Sequence, residues 1–392
     1  MNKVYGWKPT YEQELVLKAA LLSETDSLDH WKQLTKEFDI TKLDGGSNRL
    51  LPLVGENLKA PLSENERYYQ LIRGTKKKCW YKNNLLLKTA LNVFEKFKEE
   101  GIDFTVLKGL HLNSAYYKNL SLRPMNDIDF LVSWGQAERV GNILFDNGWE
   151  YLYHVKYPVF SKNSMSMVKS MGFRDKSGYS LDLHWNLLNH RCFPGADRYF
   201  LNRRISLEIA GENFMALCPE DLILFLLEHS AYFSNAPSIR WVADLVVVLR
   251  KEKNLDWDII IDNITRFNLE VPVLVMLEYL LNEFGINEVL LPVRKIRELP
   301  VSEKSKKLYK NMLPSNTHIG NRSKAYLKFL DRYKTYLKEH EKKEEPSGLS
   351  GYVKFLMSRW GISNLFLFMI IFPGKLVDKI FRYLFLNRFS QH

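Results

Sequence analysis

Cysteine is scarce. Cys79, Cys192 and Cys218 are the only three in 392 residues, and they stand far apart with no Cys-x-x-Cys or metal-finger spacing. That argues against a disulfide framework and a structural zinc site, and it suits a reducing, cytoplasmic setting. Long apolar runs are missing too. No uninterrupted stretch reaches the roughly 18 residues of a membrane span, and the nearest, "ISNLFLFMIIF" at 362–372, stops at "PGK". The opening "MNKVYGWKPTYEQELVLKAA" lacks the apolar core and small-residue cleavage site of a secretory signal. Internal repeats and low-complexity tracts are absent as well.

What is present is an apolar, aromatic and basic chain. Hydrophobic residues make up 46% and aromatics 13%, enough to bury a sizeable interior over two or three domains. The 56 basic residues exceed the 45 acidic ones, for a net charge of +11. Such an excess favours anionic partners, whether nucleotides, nucleic acid or an acidic membrane surface. It is equally compatible with an ordinary basic soluble protein.

The periodicity changes twice along the chain. Residues 9–100 carry helical spacing, as in "TYEQELVLKAALL" and "NNLLLKTALNVFEKFKEEG", the latter ending at Gly101 as a C-cap. From 103 to about 186, short β-like runs take over: "DFTVLKG", "DIDFLV", "WEYLYHVKYPVF", "MVKSMGFRD" and "YSLDLHWNL", with a helical stretch at "GQAERVGNILFDNG". This mixture predicts an α+β fold with a mixed sheet. After 215 the pattern is helical again, beginning at "CPEDLILFLLEHSAYF", where Pro219 stands in the first turn beside Glu220 and Asp221. The expected organisation is an N-terminal helical region at 1–100, a core at 101–215 and a C-terminal helical domain at 216–340. A linker at 341–351, "EKKEEPSGLSG", then leads to a basic aromatic tail at 352–392.

The stretch "LRPMNDIDFLVS" places Asp127 and Asp129 inside an otherwise apolar strand. Side chains two apart share a strand face, so the two carboxylates lie together while Ile128 and Phe130 face the other way. Close carboxylates repel unless a cation sits between them, and oxygen ligands suit Mg²⁺ or Mn²⁺. An acidic solvent face explains many such pairs without any metal. In "YSLDLHWNL" the same alternation sets Asp182 and His184 on one face, opposite Leu181, Leu183 and Trp185. A third carboxylate on a neighbouring strand could complete a metal cage; the alternative is a half-exposed strand with a local Asp/His pair. Upstream, "FTVLKGLHLNSAYYKN" reads as a strand, a turn at Gly109 and a helix. The free N–H groups and dipole of such a helix start suit phosphate, with Lys108 adding a point charge, although a lone lysine is also an ordinary surface residue.

Together these pieces resemble the nucleotidyltransferase superfamily with the DNA polymerase β-like fold. More closely, they resemble an uncharacterised bacterial nucleotidyltransferase family. The matching residues are Leu107-Lys108-Gly109, then Arg123-Pro124-Met125-Asn126-Asp127-Ile128-Asp129-Phe130-Leu131-Val132, then Asp182-Leu183-His184-Trp185. The helical "CPEDLILFLLEHS" and "IRWVADL" fit the same family, so the resemblance spans about 50–250. It implies metal-dependent transfer of a nucleoside monophosphate from an NTP to an acceptor, releasing pyrophosphate. On that basis Asp127, Asp129 and Asp182 hold Mg²⁺ or Mn²⁺, and Asp182 accepts the acceptor's proton. Lys108, Gly109, Arg123 and His184 meet nucleotide or phosphate, with Arg123 in the loop leading into the strand; an ordinary exposed arginine is the alternative there. Two departures stand out. Leu110, not serine or glycine, follows Gly109, and the interval from Gly109 to Asp127 is longer than the superfamily's common spacing.

Farther along, Arg240 and Asp244 are spaced for a helix salt bridge, Trp241 reads as core, and the family pattern makes Asp244 and His229 candidates to face the cleft. The tail interleaves aromatics with Lys and Arg, which suits either an interfacial helix on an anionic membrane or docking on the core or a partner subunit. For function, the expectation is nucleotidyl transfer to a small molecule, sugar or peptide. Two alternatives are a catalytically degenerate nucleotide-binding scaffold and an RNA-directed transferase, the latter disfavoured because no basic–aromatic platform borders the motifs.

Overall fold

The structure is a computed structural model that describes residues 7–59, 67–152, 160–161, 165–166, 168–189, 191–232, 239–286, 292–313, 365 and 369. The linker at 341–351 and, apart from Leu365 and Met369, the tail at 352–392 lie outside the described residues.

The chain opens with helices α1 (Tyr11–Leu21), α2 (Glu24–Glu37) and α3 (Leu51–Asn57), then the long α4 (Tyr69–Glu99). Their starts follow local chemistry. Thr10 and Gln13 form a reciprocal capping box on α1, and Ser23 caps α2 through the Asp26 N–H. Past the end of α4, Gly101 takes φ +63° and the Ile102 N–H returns to the Phe97 carbonyl at 2.8 Å. This is the left-handed helix stop expected there.

The described residues form a seven-stranded mixed sheet. Its strands are β1 (Phe104–Val106), β2 (Ile128–Val132), β3 (Glu150–Tyr151), β4 (Ser170–Arg174), β5 (Ser180–His184), β6 (Ile205–Ile209) and β7 (Glu212–Ala216), in the order β3-β4-β5-β2-β1-β7-β6. β1 runs antiparallel to β2 and parallel to β7, and β2 runs parallel to β5. The expected strand across 149–160 appears only as Glu150–Tyr151, and 153–159 lies outside the described residues. The β6–β7 hairpin was not legible in the pattern. It forms the sheet edge, its β6 side chains mostly meet solvent, and its tight turn rests on left-handed Ala210 and Gly211.

One face of the sheet packs an aromatic core against α4 and α5 (Ala137–Asp146). Phe130 lies 5.1 Å from Phe97 and 6.1 Å from Phe94, ring to ring, with Phe104 and Phe214 beside them. Ile128, Leu181, Leu183 and Trp185 join the same core, as the alternation requires. The opposite face meets the C-terminal helices α6 (Pro219–Tyr232), α7 (Arg240–Lys251), α8 (Trp257–Arg266), α9 (Glu270–Phe284) and α10 (Glu303–Met312). These share one continuous apolar core with α1–α3: Leu15 and Leu17 are buried with Leu245, Val246 and Leu280, and Trp7 packs on Trp241 and Tyr279. The two helical regions thus close over the polar face of the sheet from the same side.

Candidate active site

Asp129 and Asp182 stand opposite one another in the parallel register of β2 and β5, and β5 adds His184 on the same face. Oxygens and nitrogen converge tightly. His184 Nε2 lies 3.0 Å from Asp182 Oδ2 and 3.3 Å from Asp129 Oδ1. Ser170 Oγ, from β4, donates to Asp182 Oδ2 at 3.3 Å. Asp129 and His184 are fully enclosed, whereas the Asp182 side chain keeps about a quarter of its surface exposed. One ligand atom from each of Asp129, Asp182 and His184 fits within a 4.8 Å cluster.

Asp127 sits one residue ahead of β2, is exposed, and lies outside that cluster; His184 takes the third place that spacing had suggested for it. Desolvation and the charge of Asp129 nonetheless push the Asp127 carboxyl up to about 6. Burial would raise Asp129 as well, but Lys108 and His184 outweigh it and hold that carboxyl well below the usual range. Burial disfavours the charged His184 ring, yet the Asp182 carboxylate outweighs it and raises the imidazole. Two carboxylates and an imidazole packed this closely form a hard, mostly oxygen donor set that fits a divalent cation.

Lys108 supplies the nearest positive charge. It is the first residue of a short helix (Lys108–Leu112), adopts a left-handed φ of +33°, and places Nζ 2.8 Å from Asp129 Oδ1. A non-glycine residue held there stores backbone strain, a cost borne where a side chain must be aimed. Burial would lower the Lys108 ammonium, but Asp129 and Asp182 outweigh it and raise it.

Gly109 is buried, and the space a Cβ would need is occupied: Met125 Sδ would lie 3.0 Å away and Arg123 Nη1 3.7 Å. This glycine therefore lets the loop preceding β2 close down on the turn. That loop is fastened from below. Asn83 donates to the Leu120 and Arg123 carbonyls and accepts from the Met125 N–H, and Asn113 donates to Gly109 and Arg123 carbonyls.

Arg123, expected to meet a phosphate from the entry loop, is turned inward. Its guanidinium is buried and bidentate on Asp244 of α7, with Nε to Oδ1 at 2.7 Å and Nη2 to Oδ2 at 2.9 Å. Tyr117 donates to the same Oδ1 at 2.9 Å. The helix salt bridge expected between Arg240 and Asp244 is replaced by this longer-range pair. Arg240 instead donates from Nη1 to the Pro124 carbonyl, its Nε finds no partner among the described residues, and burial pushes it down to about 10. Trp241 is core, as expected.

Helix α6 forms the wall facing the carboxylates. Its Phe225 ring lies 5.7 Å from Lys108 Nζ and 5.7 Å from Lys169 Nζ, with the His229 ring tilted against it. The His229 residue is half-buried, and its imidazole is held well below its usual range by desolvation and then by the two lysines. Glu228 points from the same helix to accept the N–H and side-chain amide of Asn189. Lys169, directly before β4, carried no motif signal; the sheet register pairs the next residue, Ser170, with His184 and sets Lys169 against Trp185. Asp197 is buried nearby, accepts the Leu187 N–H at 3.2 Å, and is pushed by burial up to about 7.

A family model described as "Uncharacterised nucleotidyltransferase" matches residues 46–284, more than half of the chain. Comparison with curated proteins finds no match. Among solved structures, the lincomycin-bound lincosamide antibiotic adenylyltransferase LnuA is similar over 41% of this chain and 96% of its own, at 16% identity and a TM-score of 0.30. An antigenic nucleotidyltransferase-like protein from Paracoccidioides brasiliensis is similar over 53% of this chain and 96% of its own, at 14% identity and a TM-score of 0.30. Likenesses this loose carry no argument about acceptor or mechanism.

Proposed function

The chain belongs to this uncharacterised nucleotidyltransferase family, and from that premise we propose that it transfers a nucleoside monophosphate from an NTP to a hydroxyl-bearing small molecule, sugar or peptide, with release of pyrophosphate. The observation that carries this reading is the meeting of Asp129, Asp182 and His184 within 4.8 Å on two parallel strands, beside Lys108.

Asp129, Asp182 and His184 would hold a Mg²⁺ or Mn²⁺ ion, with exposed Asp127 closing the open side. Such an ion neutralises the carboxylates and the charge that develops on the transferring phosphoryl group. The chain's own groups do the rest. Lys108, pre-aimed by its strained backbone, orients the donor's phosphates. Asp182, the carboxylate of the cluster that keeps contact with solvent, takes the proton of the attacking hydroxyl. Without an ion, His184 Nε2 bridges Asp129 and Asp182 and keeps them at fixed separation. Gly109 and Arg123 act one layer out, by seating the loop that carries Asp127; a direct phosphate contact from Arg123 would have to come from Nη1.

The retained carboxylates support catalysis over a degenerate scaffold. Incubation with each α-labelled NTP, Mg²⁺ or Mn²⁺, and pools of candidate acceptors tests the reading, with Asp182→Asn as control. Label transferred by the wild type and lost by at least roughly a hundredfold in the variant is the expected result. Equal transfer by both would overturn the site assignment.

A further inference from the structure

Among the described residues, Lys169 is the only lysine whose ammonium is buried with no hydrogen-bond partner. An ammonium offers three donors and accepts nothing, so an enclosed, unmatched one signals a missing anion. Among the described residues, the carboxylates that act most on it, Glu228, Asp182 and Asp129, are already engaged. Glu228 takes the backbone and side-chain N–H groups of Asn189. Asp129 takes Lys108, and Asp182 takes His184 and Ser170. Lys169 also shares one aromatic ring with a second cation, since both its Nζ and that of Lys108 lie 5.7 Å from the Phe225 centroid. Two like charges against one ring repel unless an anion joins them.

The backbone around Lys169 is fastened rather than loose. Its carbonyl accepts the Trp185 and Asn186 N–H groups at 3.0 and 3.2 Å, and Trp185 Nε1 donates to the preceding Val168 carbonyl at 2.8 Å. The lysine is therefore set at the start of β4, next to the end of β5, the strand that bears Asp182 and His184.

We infer that Lys169 is a polyphosphate-binding residue, forming with Lys108 a two-lysine clamp over Phe225 for the phosphate chain of the donor nucleotide. The inference rests on the nucleotidyl-transfer reading above for the identity of the anion. It assigns a role to a residue outside the family motifs, and it limits the donor to nucleotides that carry an anionic chain long enough to meet both cations.

The test uses full-length wild type, Lys169→Met and Lys169→Arg, with inorganic tripolyphosphate and magnesium as the probe in calorimetry, melting curves of the ligand-free proteins, and label transfer from α-labelled NTP. Wild type should bind tripolyphosphate, Lys169→Met should bind it roughly tenfold or more weakly, and Lys169→Arg should stay near wild type. Ligand-free Lys169→Met should melt at or above the wild-type temperature, because Met keeps the volume and removes an unmatched charge. Loss of melting temperature in ligand-free Lys169→Met would make Lys169 a structural residue and overturn the inference. Undiminished tripolyphosphate binding by Lys169→Met, alongside wild-type label transfer, would overturn it while leaving the transferase reading intact. Lys169-dependent tripolyphosphate binding without any label transfer would uphold the anion site and overturn the transferase reading. A wild type that neither binds the probe nor transfers label would overturn both.

Discussion

Asp129 and Asp182 occupy paired positions on two parallel strands, and both carboxylates reach the same imidazole nitrogen of His184, at 3.3 and 3.0 Å. The arrangement concentrates negative charge where the sheet can least dissipate it. Cation binding should therefore be measurable without any turnover. Mn²⁺ titration is expected to raise the wild-type melting temperature, approaching about 2.7 kcal/mol of added stability at a hundredfold excess over Kd. In Asp182→Asn the shift should shrink sharply, and a shift of wild-type size in that variant would remove Asp182 from the ion site.

The Arg123–Asp244 pair joins the loop ahead of β2 to helix α7 across 121 residues, with both side chains under a tenth exposed. Removing one partner leaves the other charge buried and unmatched, so Arg123→Met or Asp244→Leu alone should cost about 3–5 kcal/mol. The double substitution should cost less than the sum of the two. Urea unfolding of the four proteins, combined as a double-mutant cycle, measures the coupling, and strict additivity would show that the pair holds nothing.

At Gly109 a new Cβ would meet Met125, whose own N–H is tied to Asn83. Only the Met125 side chain can yield. Gly109→Ala is thus expected to cost on the order of 1 kcal/mol, and Gly109→Val more. Met125→Ala should relieve most of the Gly109→Ala penalty. Failure of that rescue in thermal unfolding would locate the glycine's requirement elsewhere.

Asp197 offers a pH signature. Its folded pKa of about 7 lies above the unfolded carboxyl value, so the folded state prefers the protonated form. Stability tied to this group is fully present below about pH 4, declines as pH rises toward 7, and stays lost above it. Asp197→Asn keeps an acceptor for the Leu187 N–H and removes the charge. It should gain over wild type between pH 4 and pH 8 by on the order of 4 kcal/mol. Chemical denaturation at the two pH values decides this, and an unchanged difference would mean that Asp197 stays ionised at low cost.

Much of the site was legible before any tertiary contact was known. The alternation in Asp127-Ile128-Asp129-Phe130 and in Leu181-Asp182-Leu183-His184 assigns polar and apolar faces correctly, because a strand's period of two is a local property of the backbone. Lys108 could be flagged from its place before the glycine. Its left-handed backbone could not, since the bond to Asp129 that accompanies it spans 21 residues. The burial of Arg123 was not legible, because its loop position carries no sign of the Asp244, Tyr117, Asn83 and Asn113 contacts that gather it inward from three separate segments. The β6–β7 hairpin escaped notice because an edge strand that faces solvent needs few of the residues that announce one.

By itself, the sequence determined that this chain folds as helices around a mixed sheet, that its acids share one sheet face, and that it carries the motifs of a nucleotidyltransferase. Each of these follows from local periodicity and short spacing. Only the tertiary structure decided which groups meet: Asp129 beside Asp182, Arg123 on Asp244, and Lys169 against the ring of Phe225. Those meetings depend on strand register and on helices closing over the sheet from both ends of the chain. Their energies come from burial and charge pairing between distant residues, which no local pattern encodes.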